Sequence, residues 1–103
     1  MPEQKGAARD PDAICLGLIV KRMRLQRGWT IRQVADAIGV HPTYLGVIER
    51  GGNLMGMKSF LNFAVVMNVD PGEILREVLE DRQQNRKLPD APPPPPPLAP
   101  RES

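Results

Sequence analysis

The stretch from Trp29 to Gly51 constrains this chain most, because it leaves room for only two very short helices and one tight turn. Thr30 offers a hydroxyl to cap a helix, and Ile31, Val34, Ala35 and Ile38 repeat at three and four residues, so a helix of about eight residues is expected before Gly39. A second helix must start almost at once. His41 can cap it, Pro42 suits a first helical position, Leu45 and Ile48 supply an inward face, and Gly51-Gly52 closes it. Two helices joined this tightly cannot lie antiparallel; they must cross. Ala35 is small where the second helix passes over the first, and Gly39 lets the backbone turn left-handed between them.

The remaining periodicities build a small helical core around that pair. Leu16, Ile19, Val20 and Met23 predict a first helix of about Asp12 to Arg27, stopped by Gly28. Met57, Phe60, Leu61, Ala64 and Met67 predict a fourth over about 57–68. Asp70-Pro71-Gly72-Glu73 combines a cap, a first-turn proline and an acid, opening a fifth helix with Ile74, Leu75, Val78 and Leu79 inward and fraying beyond Arg82. Aromatic residues make up only 4% of the chain, so the core must be aliphatic. The expected fold class is all-α: a flexible arm over 1–12, one five-helix domain over 13–82, and a disordered proline-rich tail over 83–103. Six consecutive prolines, Pro92 to Pro97, favour an extended polyproline spacer, with docking to a protein partner as the less favoured use.

Several function classes find no support. The longest apolar stretch, Ala13 to Val20, falls far short of the roughly 20 residues of a membrane span. The N-terminal residues lack the order of a secretory signal, so the expected setting is the cytoplasm, in association with the nucleoid. Cys15, the one cysteine, sits in an apolar run and reads as core. One His and one Cys make no zinc ligand set, so no metal or cofactor is expected. No nucleophile with a base, convergent carboxylate pair or phosphate-binding glycine loop can be assembled, so an enzyme is not expected.

Charge is unevenly spread along a chain of net charge +2. From Lys21 to Arg50 six basic residues face two acidic ones, a local excess of +4; from Asp70 to Asp81 five acids face Arg76 alone, an excess of −4. The basic block would attract a polyanion.

Trp29-Thr30, Val34-Ala35, Ile38-Gly39-Val40, Tyr44-Leu45, Ile48-Glu49-Arg50-Gly51, Phe63-Ala64 and Val69 together resemble the phage repressor and Cro class of helix-turn-helix proteins, the Xre-type family, over about residues 14–80. The resemblance implies a domain whose second and third helices straddle double-stranded DNA, the third lying in the major groove as a homodimer reads two half-sites. Repression is the family habit. The alternative is an antitoxin or a protein-binding regulatory adaptor on the same fold.

Carried over position by position, the family's base-reading places fall on Pro42, Thr43, Gly46 and Val47, with Tyr44 beside them. Thr43 has a hydroxyl for a base edge and a methyl for thymine, Val47 offers only apolar contact, and Gly46 leaves room for close approach. Tyr44 can stack, reach a phosphate or cover the core edge. Phosphate contacts are expected from Arg32 and Gln33 at the start of the second helix, aided by Thr30, Arg50 and Asn53, with Lys21 and Arg22 weaker candidates. His41 can bond a phosphate or simply cap its helix. The resemblance also implies an internal salt bridge from Arg24 to Glu49 that orients the third helix.

The chain departs from the family at Ile31, where a Gln is common, and at Leu54-Met55-Gly56, in place of an Asn-Pro-Ser lead. Gly46 and Val47 reduce the hydrogen bonds available for direct readout, so DNA shape gains weight. Leu54, Met55 and the outer faces of the fourth and fifth helices are the expected dimer contact.

Overall fold

The structure, a computed structural model, describes residues 10–85. The proline run and all but the last residues of the expected arm lie outside them. Five helices and no strand occur among the described residues: α1 (Pro11–Gln26), α2 (Ile31–Ile38), α3 (Pro42–Glu49), α4 (Met57–Met67) and α5 (Pro71–Asn85). None is long and apolar enough to cross a membrane.

Helix boundaries follow local chemistry. α1 takes in Pro11 and Asp12, the end of the expected arm, because the Asp10 carboxylate accepts from the Asp12 N–H at 3.0 Å. α2 opens on a reciprocal capping box: the Thr30 hydroxyl accepts from the Gln33 N–H at 3.0 Å while the Gln33 amide oxygen accepts from the Thr30 N–H at 2.8 Å. At its other end Gly39 is left-handed (φ 79°), and the N–H of Val40 bonds back to the carbonyl of Ala35 at 2.9 Å. Asn68 performs the same reversal at the end of α4 with φ 59°, one of the few non-glycine residues suited to it. The turn between α2 and α3 is therefore closed by local backbone geometry and bonding.

α1 packs against α3 and α5, α2 against α3 and α4, and α4 against α5. The core they enclose includes Leu16, Ile19, Val20, Val34, Ala35, Ile38, Leu45, Ile48, Phe63, Met67 and Ile74. Cys15 is half-buried against it. Two inward stripes differ from expectation. On α4 the buried set is Phe60, Phe63, Ala64 and Met67, whereas Met57 and Leu61 face out. On α5 only Ile74 is fully buried; Val78 is half-buried, and Leu75 and Leu79 are exposed. Both helices carry more apolar residues than one core can cover. Periodicity alone therefore does not select among the possible inward faces. Met55, expected at a dimer contact, packs into the core instead, while Leu54 beside it is exposed.

α1 meets α3 with no side chain between them at one point. A Cβ on Gly17 would overlap the carbonyl oxygen of Ile48 and lie 2.9 Å from that of Glu49. α5 is tied to α1 on the outside by two bidentate pairs, Arg22 with Glu77 (2.8 and 3.0 Å) and Arg82 with Asp12 (2.6 and 3.0 Å). The Arg82 pair gives α5 a partner in the turn where fraying was expected, and the helix runs on to Asn85.

Candidate nucleic-acid interface

α3 is divided by burial into an inner and an outer face. Leu45 and Ile48 are fully buried, and Glu49 is turned inward, where its two carboxylate oxygens accept from Nε and Nη2 of Arg24 at 2.7 and 2.9 Å. Arg24 also donates through Nη1 to the carbonyl of Trp29 at 2.9 Å, so one guanidinium joins α1, the segment before α2, and the end of α3. The bonds to Glu49, more than burial opposes them, raise the Arg24 pKa above its ordinary value. This is the pair the resemblance implies. Its second consequence is electrostatic: the only acid of α3 is neutralised internally, away from the outer face.

Thr43 is exposed on that outer face, and Pro42, Tyr44 and Val47 are half-buried. Tyr44 has a structural duty. Its ring packs against the core, and its hydroxyl accepts from the Gly56 N–H at 3.0 Å, pinning the loop that leads into α4. His41 caps α3, with Nδ1 accepting from the Thr43 N–H at 3.0 Å. In the neutral ring that bond assigns the proton to Nε2, which leaves a donor on the far edge. Capping and an outward hydrogen bond are thus compatible.

Gly46 differs from expectation. It is buried rather than open, and a Cβ there would lie 3.2 Å from Nη1 of Arg50 and 3.9 Å from both Cζ and Nη2. The Arg50 guanidinium lies back over the glycine, in keeping with the N-terminal tilt of side chains on a helix.

Arg32 and Gln33 are exposed in the first turn of α2. Thr30 and Gln33 spend one hydrogen bond each on their capping box, which aims the side-chain amide of Gln33 along the helix start. Asn53 is exposed on the loop after α3. The basic block divides: Arg24 is buried, Arg22 is paired with Glu77, and Arg27 donates to the carbonyls of Met23 (3.0 Å) and Met67 (2.8 Å), closing the ends of α1 and α4. Three of its six cations hold the fold together. Arg27 was missed as a structural residue, and its only signal was its place just after a helix end, at the C-cap, where orphan carbonyls collect.

The helix-turn-helix family model matches residues 20–74, which covers α2, the turn, α3 and α4 together with the last part of α1 and the start of α5. No curated protein sequence matches the chain. Among solved structures, the restriction-modification controller protein C.AhdI from Aeromonas hydrophila is similar, with a TM-score of 0.60 and 23% identity over 63% of this chain and 98% of that one. The clp gene regulator ClgR from Corynebacterium glutamicum is similar with a TM-score of 0.65 and 22% identity over 74% of this chain and 81% of that one. SinR, a master regulator for biofilm formation whose structure is in complex with DNA, is similar with a TM-score of 0.55 and 24% identity over 58% of this chain and 97% of that one.

Proposed function

The chain belongs to the helix-turn-helix family, the Xre-type class of DNA-binding transcription regulators, and from that premise we propose that it is a repressor binding a palindromic operator as a homodimer through α3. What carries the reading is the division of α3: its acid and its large aliphatic side chains face inward, and Pro42, Thr43 and Val47 are left toward solvent on a helix clamped at both ends.

In this reading α3 enters the major groove. Thr43 provides the hydroxyl for a base edge, and Pro42 and Val47 provide apolar surface for thymine methyls. Arg32, the Gln33 side-chain amide and the first-turn N–H groups of α2 that the capping box does not use hold phosphates, with Thr30, the His41 ring edge and Asn53 adding to the rim. Tyr44 acts by shaping the loop that carries Asn53 and Gly56. The protein works as a binding module, not an enzyme, at the nucleoid in the cytoplasm. A second copy is needed because one helix of eight residues reads too few base pairs for an address in a genome. Exposed Leu54, Leu61, Leu75 and Leu79, on the loop and the outer faces of α4 and α5, support that contact.

Selection from random duplexes, followed by titration of variants, tests the assignment. Replacing Thr43 should change which sequence is preferred. Arg32→Ala should weaken all sequences alike and make the log–log salt slope shallower by about 0.9 for each phosphate that the arginine had neutralised. An unchanged site preference after replacement of Thr43 would refute the reading-helix assignment. Salt-insensitive capture of a protein, with no duplex preference, would favour a protein-binding adaptor instead.

A further inference from the structure

We infer that the proline-rich segment of this chain, Pro92 to Leu98, docks along an exposed apolar row on α1 formed by Ile14, Leu18 and Leu25. No residue of that row belongs to the DNA-facing side of α3 or to the contact assigned to a second copy, so the inference stands independently of both.

α1 buries Leu16, Ile19 and Val20 and leaves Ile14, Leu18 and Leu25 exposed by 40%, 61% and 55%. Positions 14, 18 and 25 are separated by four and seven residues, so on an α-helix they fall in one row. The neighbouring helices leave it uncovered: Gly17 meets the backbone of α3, Asp12 and Arg22 reach α5, and the row passes between these contacts. Beside it, Ile14, Cys15 and Leu18 of α1 and Glu77 and Asp81 of α5 line an open groove of about 420 Å³. Single apolar residues scattered on a surface need no explanation, but three in one row beside a groove form a surface that a partner can cover.

The place where α5 ends identifies the occupant. Arg82 is paired with Asp12 and Glu77 with Arg22, so α5 runs antiparallel to α1, and its last turns lie beside the first turn of α1, where the row begins. From Asn85 to Pro92 the chain takes seven residue steps, a reach of about 23 Å, ample to cross from the end of α5 to Ile14. Consecutive prolines favour the polyproline helix, with three residues per turn and a rise of about 3.1 Å, so Pro92, Pro95 and Leu98 share one edge about 19 Å long. At about 1.5 Å per residue, Ile14 to Leu25 covers about 16 Å of α1. The two apolar edges are thus of similar length. Polyproline carbonyls have no internal partners, and Lys21, exposed in the gap between Leu18 and Leu25, can donate to them. Attachment to the same chain provides a high local concentration, and a preformed helix loses little freedom on docking, so modest contact suffices.

The test uses the full chain, isotope-labelled for NMR. Nuclear Overhauser contacts are expected between proline ring protons and the methyls of Ile14 and Leu18, and between the side chains of Leu98 and Leu25, with intensities unchanged on dilution. Leu18→Lys places a good helix former at an exposed site and should abolish these contacts while the amide spectrum of the five helices stays that of the folded parent. Pro95→Ser with Leu98→Ser should abolish them too, and because both positions lie outside the helices, the loss there cannot come from unfolding. Absence of the contacts in the parent, with the amides of Leu98 and Ala99 as mobile as that of Ser103, would overturn the inference. So would contacts that survive Leu18→Lys, or contacts made to Leu75 and Leu79 instead. Contacts seen only between differently labelled copies would place the segment on a second chain and equally overturn it.

Discussion

Replacing Gly17 by alanine should destabilise the fold, although the same change in an ordinary helix interior stabilises it. In isolation the substitution favours α1 by about 1 kcal/mol, from helix propensity. At this position, however, the new Cβ meets two backbone carbonyl oxygens of α3, overlapping that of Ile48 and lying 2.9 Å from that of Glu49. Neither neighbour can rotate away, since both belong to a helix end held by Arg24 and closed at Gly51. Relief requires α1 and α3 to separate, which loosens Leu16, Val20 and Ile48 together. Overpacking against a rigid partner costs about 3 kcal/mol at the upper end of the usual range, so the net loss is about 2 kcal/mol. For a domain of this size that lowers the melting temperature by about 8–16 °C. Calorimetry of Gly17→Ala beside Gly46→Ala, whose neighbour is a flexible side chain, isolates the effect: the first should fall and the second hold or rise. A Gly17→Ala protein as stable as the parent would refute the claim that backbone contact sets the α1–α3 distance.

Three further outcomes follow from named bonds. Glu49→Leu alone leaves the buried Arg24 uncompensated and should cost about 3–5 kcal/mol by denaturant melts, whereas adding Arg24→Met should recover much of it, short of the missing bond to the Trp29 carbonyl. Tyr44→Phe removes the acceptor of the Gly56 N–H and should cost about 1 kcal/mol, with faster amide exchange confined to the loop before α4. Hydrogen bonding from Arg22 holds the Glu77 carboxyl below its ordinary pKa of 4.5, so this pair contributes fully above that pH and its contribution is lost as pH falls through the lowered value. Both side chains are over a third exposed, so the effect is under about 1 kcal/mol; stability curves of the parent and Glu77→Gln should converge in strong acid and separate above pH 4.5.

The parts legible in the sequence are those governed by neighbours in the chain. Thr30, Gly39, His41-Pro42 and Asp70-Pro71 each act through bonds within a few residues, and the helix starts and stops they imply are present. The core faces of α2 and α3 were legible as well, because each short stripe admits one inward set, and on α1 the expected Leu16, Ile19 and Val20 are buried although Ile14, Leu18 and Leu25 beside them are exposed. What was not legible depends on partners distant in sequence. Leu61 and Leu75 read as core because they sit beside true core residues, and only the placement of α4 and α5 against the others turns them outward. Arg22 and Arg27 counted toward a cationic surface until tertiary contacts took them to Glu77 and Met67. Gly46 looked open because the chain order does not show that Arg50 folds back over it. Gly17 carried one clue, a glycine inside an apolar helix, which asks for a packing reason without naming the partner.

The central claim is that the outer face of α3, with the first turn of α2, meets a duplex groove. Titrating the isotope-labelled chain with its selected duplex and following backbone amides by NMR tests this directly. The account predicts that the largest changes fall at residues 30–33, 41–47 and 50, at one duplex per two chains. Changes confined to α1 and α5, or none at saturating duplex, would contradict it.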